Sequence, residues 1–109
     1  MNFSKLKTDY PNTFKRFEQW VEQKFETSLA IPNGIVRNED AVEWLDEIGA
    51  HISISAKQAL NDSVWFIPYV FIVSNNIDID YHMEAESSRK LSTENAISFC
   101  FYTLEGYER

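Results

Sequence analysis

Two histidines, one cysteine and a surplus of acids are the groups in this chain with the types to do chemistry. His82 follows Asp78 and Asp80 at alternating positions, and His51 lies in a second alternating segment, Ala50 to Ser55. Imidazoles and carboxylates brought to one sheet face can hold a metal ion. In a meander, however, the strands carrying the two histidines flank a middle strand. At ~4.8 Å per strand step the rings stand roughly 10 Å apart, and direct co-ligation would be strained. The reading is of solvated side chains, no metal and no cofactor, with a small-ligand or metal site on the polar sheet face kept as an alternative. Cys100 lies among Ile97, Phe99 and Phe101 with no neighbouring histidine or base to activate it, so an inert buried thiol is expected. The chain has no Gly-rich phosphate loop, nucleophile elbow, His-Glu-x-x-His or calcium loop. Nothing in it spells an enzyme.

Acids also cluster between residues 39 and 47. Glu39, Glu43 and Glu47 recur every four residues and line one flank of a helix, where like charges repel by a few tenths of a kcal/mol per pair. Such a row is either a solvated face or a lure for a basic partner. Trp44 falls among these acids, as an anchor for a partner or as a core residue.

The elements that position these groups follow from periodicity. Pro11 suits a first helical turn, and Phe14, Phe17, Val21 and Phe25 then recur at spacings of three and four, with Trp20 beside them. Ile31-Pro32-Asn33-Gly34 is a turn cluster. A second helix is expected from Asn38, as N-cap, to Ile48, with Gly49 as its stop. Ala50 to Ser55 reads as a strand, and 56–63 as a connection with a helical turn near Leu60. Val64 to Val73 is β-branched and aromatic, and Ile77 to Met83 alternates strictly, so these form two further strands joined at Asn75-Asn76. A last helix from Ser92 to about Gly106 is apolar round most of its circumference. The fold class is α+β, in the order α-α-β-β-β-α, with a three-stranded antiparallel meander packed by helices.

The 109 residues make one domain. Hydrophobic residues at 44% and charged residues at 25% are the proportions of a folded globule, and three Gly with three Pro leave no room for a low-complexity class. One cysteine excludes an intrachain disulfide framework. A net charge of −7 disfavours nucleic acid and anionic membrane as direct partners. The longest apolar run, Val64 to Val73, contains Pro68 and is about half of what a membrane helix needs, and the start lacks a secretory pattern, so the expected compartment is the cytoplasm.

A two-residue loop at Asn75-Asn76 sets Ser74 opposite Ile77, Ile72 opposite Ile79, Val70 opposite Tyr81 and Pro68 opposite Met83. That face is apolar on both strands and belongs to the core. On the other face Val73 meets Asp78, Phe71 meets Asp80 and Tyr69 meets His82, with Ile67 and Trp65 extending the row. A slip of one residue would bury Asp78 and Asp80 without partners. The middle strand therefore shows large apolar side chains on the face where its neighbour shows charge. Two covers are open: the last helix or the N-terminal segment with Phe3 and Leu6, or a protein partner, most simply a second copy of the chain. Pro68, which cannot donate to a ladder, is expected to mark a bulge or an unpaired stretch.

The opening Leu6-Lys7-Thr8-Asp9-Tyr10-Pro11-Asn12-Thr13-Phe14-Lys15-Arg16-Phe17-Glu18-Gln19-Trp20-Val21 resembles the start of small proteins from Bacteroidetes genomes, their phages and mobile elements. Ser92-Thr93-Glu94-Asn95-Ala96 and Phe101-Tyr102-Thr103-Leu104-Glu105 are similar to their C-terminal helix. The resemblance covers about a third of the chain and implies a setting, not a reaction, and no functional residue carries over from it. The expected function is a small non-enzymatic interaction module, acting as a homo-oligomer or an adaptor. Trp65, Ile67, Tyr69 and Phe71 would be its contact residues, rimmed by Asp78, Asp80 and His82. The alternative is an acidic inhibitor that uses Glu39, Glu43 and Glu47 to occupy a basic, nucleic-acid-binding groove of a host or defence protein.

Overall fold

The structure is a computed structural model that describes residues 1–74 and 77–107. Four helices and three strands follow in the order α1 (Phe3–Asp9), α2 (Pro11–Phe25), α3 (Asn38–Glu47), β1 (Ala50–Gln58), β2 (Val64–Ser74), β3 (Ile77–His82) and α4 (Arg89–Tyr107). The α+β class stands, with one helix more than expected. The strands form one antiparallel sheet in the order β1-β2-β3.

The register is that of a two-residue connection. Ser74 pairs with Ile77, Ile72 with Ile79, Phe71 with Asp80 and Tyr69 with His82. Asn75-Asn76, to which the turn was assigned, lies outside the described residues. On the other side His51 pairs with Phe71, Ser53 with Tyr69 and Ser55 with Ile67. β1 runs on to Gln58 because Ala56, Lys57 and Gln58 pair with Phe66, Trp65 and Val64. The segment 56–58 is therefore strand and not connection, and a tight turn held by Ala59 and Ser63 replaces the expected helical turn. Pro68 makes no bulge against β1, where Ile54↔Pro68 keeps the register. The β3 ladder instead ends at Tyr69↔His82, and the Met83 N–H donates to the Pro68 carbonyl at 2.9 Å. The missing proline N–H thus falls where β3 gives out.

The back of the sheet is the core face. Val70 and Ile72 are fully buried with Ala96, Ile97, Cys100 and Phe101 of α4. Tyr81 departs from the expected core row: on an edge strand it is half exposed and stacks on Phe99, centroids 5.0 Å apart. Behind α4 lies an aromatic knot in which Phe17 meets Phe3, Phe14, Trp20, Trp44 and Phe101 at 5.4–6.2 Å. Trp44 is 3% exposed, so it is a core residue and not an anchor among the acids. At the start of α3, Asn38 is the first helical residue and not the cap. Arg37 occupies the cap position, its N–H donating to the Asp40 carboxylate at 2.8 Å, while the Asn38 amide reaches Glu94.

Candidate functional site

The front of the sheet carries the unusual surface. Trp65, Ile67, Tyr69, Phe71 and Val73 alternate along β2, spanning roughly 26 Å at ~3.3 Å per residue. Trp65, Phe71 and Val73 are 41%, 38% and 53% exposed, and Ile67 and Tyr69 are half-buried. Neither expected intrachain cover lies over them. α4 packs on the back, and Leu6 and Phe3 belong to the helical core, Phe3 against Phe17. What shields Tyr69 and Phe71 in part is the rim. The His82 ring lies 4.6 Å from Tyr69, and the His51 ring stacks on Phe71 at 6.3 Å. Between them His51, Ile52, Ser53, Tyr69 and Phe71 line a shallow hollow of about 300 Å³.

Charge is distributed unevenly along this belt. The His51 Nδ1 is 2.8 Å from Asp46 at the end of α3, and Asp80 and Asp78 lie across from Phe71 and Val73. Three carboxylates therefore gather at the Phe71–Val73 end, while Lys57 lies opposite Trp65 at the other. The Asp80 carboxylate beside Tyr69 favours the protonated hydroxyl and raises its pKa above the usual tyrosine value.

The remaining sequence candidates separate from this site. His51 and His82 fall on different cross-strand rows, each with its own aromatic neighbour. No group of three His, Cys, Asp or Glu side chains among the described residues is arranged to hold a metal ion. Cys100 is fully buried, and burial pushes its thiol up to about 12, with the Asp46 charge adding to the effect. Glu39, Glu43 and Glu47 are exposed, but Lys24 of α2 bonds both Asp40, at 2.9 Å, and Glu43. The chain itself thus pairs one member of that row, Glu43, with a lysine. A wider open cleft of about 1040 Å³ runs between α1, α2 and the segment 27–39. Its polar lining carries both signs, with Lys7 3.4 Å from Glu18 across it. No helix among the described residues is long and apolar enough to cross a membrane.

One buried charge escaped the sequence reading. Glu105 is 4% exposed and lies against the start of α2. It accepts from the Thr13 N–H at 2.8 Å, the Asn12 N–H at 3.3 Å and the Asn12 amide at 2.9 Å. The signal was present: Phe101, Leu104 and Glu105 share one helical stripe, and an acid on an apolar stripe needs donors facing it.

No family model, curated protein or solved structure matches this chain.

Proposed function

We propose that the chain is a small non-enzymatic protein–protein interaction module, and that its partner docks on the front of the sheet. The supporting observation is the apolar row of β2, which its own helices leave open and which polar groups rim on both sides. An aromatic centre inside a polar rim is the usual anatomy of a contact patch. Covering ~300 Å² of it at ~25 cal/mol per Å² is worth about 7 kcal/mol before the costs of association. The fitting partner offers apolar side chains to Trp65, Ile67, Tyr69 and Phe71. It offers basic groups to Asp46, Asp78 and Asp80. A basic groove on a host or defence protein has that chemistry, and the resemblance to phage and mobile-element proteins supports such a setting.

Quantitative affinity capture with the native chain and its variants as baits tests this. A partner held by the native chain and by Glu39→Lys/Glu47→Lys, but weakened ~30-fold or more by Phe71→Glu, is the expected result, that factor being the usual loss at a central contact. Asp78→Asn with Asp80→Asn should slow association and flatten its salt dependence. A partner indifferent to Phe71→Glu and Tyr69→Glu, yet lost on reversing Glu39 and Glu47, would transfer the function to α3.

A further inference from the structure

The two edges of the sheet are unequal. β3 is six residues long and carries Asp78 and Asp80, the kind of short, charged edge that resists pairing. β1 is nine residues long, keeps an unbroken register against β2 from Ala50 to Gln58, and carries one lysine and no proline. Its outward groups can be named. The Phe66 and Glu86 main chains bond each other and the Pro68 carbonyl accepts from Met83, so even-numbered residues of β2 aim toward β3. The Val73 N–H donates to the Gly49 carbonyl, so the odd-numbered ones aim toward β1. Strand alternation then makes His51, Ser53, Ser55 and Lys57 the hydrogen-bonded partners of β2. The N–H and C=O groups of Ile52, Ile54 and Ala56 point away from the sheet, and nothing among the described residues bonds them.

We propose that β1 pairs antiparallel with β1 of a second copy, about a two-fold axis at Ile54, to give a continuous six-stranded sheet. Ile54 is the middle residue of the strand, so this register overlaps its whole length. It closes about six main-chain hydrogen bonds, from Ile54 to the partner's Ile54 and from Ile52 to the partner's Ala56 and back. On the back face the half-buried Ile52 and Ile54 gain apolar cover. On the front face His51 comes opposite the partner's Lys57. The charges then match: Asp46, bonded to His51 and half exposed, receives that lysine's ammonium, and the two-fold repeats the contact. Slipping the strands by two residues shortens the ladder and separates these charges.

This pairing shares Asp46 with the docking face but uses none of its apolar row, and sedimentation velocity over a concentration series of the full chain separates the two. A reversible dimer is expected. Lys57→Glu should weaken it ~10-fold or more, and Asp46→Lys added to Lys57→Glu should restore it to within a few-fold. Ile54→Pro should abolish it, because it removes an outward N–H that β2 does not use. Tyr69→Glu should leave it unchanged. If Ile54→Pro does not fold by circular dichroism, hydrogen exchange on the native chain decides instead: the Ile52, Ile54 and Ala56 amides must gain protection as concentration rises. A strict monomer at millimolar concentration overturns the proposal. So does a dimer that survives Lys57→Glu but is lost with Tyr69→Glu, which would mean that the front faces stack.

Discussion

Glu105→Ala is expected to lower stability by about 2–3 kcal/mol, a fall in Tm of roughly 10–15 °C. The size follows from what the carboxylate does. α2 begins at Pro11 with Tyr10 at its cap position and no side-chain cap bond of its own. The Asn12 and Thr13 N–H groups of its first turn are met from outside by Glu105, the seventeenth residue of α4. A negative group at a helix N-terminus is favoured by the helix dipole as well as by the hydrogen bonds. Removing it takes the carboxylate acceptor from the Asn12 and Thr13 N–H groups, Thr13 being fully buried, and unties α4 from α2. Glu105→Gln keeps the shape and one acceptor, so it should cost about half as much. Acidity supplies a second measurement. Burial, the largest single influence on Glu105, would raise its pKa, but the hydrogen bonds from Thr13 and Asn12 together outweigh it and the net direction is down. A carboxyl more acidic in the folded than in the unfolded chain stabilises above its unfolded pKa, and the benefit is lost as pH falls through the folded value. The gap between the native chain and Glu105→Gln in urea melts should therefore be full near pH 7 and close in acid, below roughly pH 4. A gap that stays constant across that range would mean that Glu105 acts by packing alone.

How much of this was legible depended on whether local pattern and tertiary contact agreed. The hairpin register was readable because Asp78, Asp80 and His82 alternate with Ile77, Ile79 and Tyr81, and only one phase keeps the aspartates wet. The open belt followed from that phase and from β2 being apolar on both faces. Helix α1 was not readable, since seven residues with Phe3 and Leu6 as their apolar positions show no period. It exists because Leu6 is buried, Phe3 packs on Phe17 and the Asn2 side chain caps Lys5 at 3.0 Å. The end of β1 was hidden for the opposite reason. Ala56, Lys57 and Gln58 have weak strand preference, and pairing with Phe66, Trp65 and Val64 overrides it. Asn38 looked like a cap by type, yet its amide is committed to Glu94, and Asp40 serves the Arg37 N–H instead. Lys24 could not be matched to Glu43 without knowing how α2 lies on α3.

Gly49→Ala is expected to be more damaging still, at about 3 kcal/mol or more, and it probes the joint on which the belt depends. Gly49 ends the turn from α3 into β1 with φ +91°, a conformation costly for any residue with a side chain. A Cβ there would lie 2.3 Å from the Val73 carbonyl oxygen, which is main chain of the neighbouring strand and has no rotamer to yield. The clash must push the end of β2 away and stretch the 2.9 Å bond from the Val73 N–H to the Gly49 carbonyl. Gly34 isolates the two contributions. It also has positive φ, +72°, but nothing lies within 4 Å of its would-be Cβ. Gly34→Ala should therefore show the conformational cost alone, about 1 kcal/mol. The excess of Gly49→Ala over Gly34→Ala in chemical denaturation reads the close approach of β2 to the α3–β1 turn. That approach seats Phe71 and Val73 beside His51 and Asp46. The Gly49→Ala chain that remains folded should thus lose protection first at the Val73 amide and lose partner affinity together with it. Equal costs at the two glycines would mean that β2 does not close against Gly49, and the acidic end of the docking face would then lack its frame.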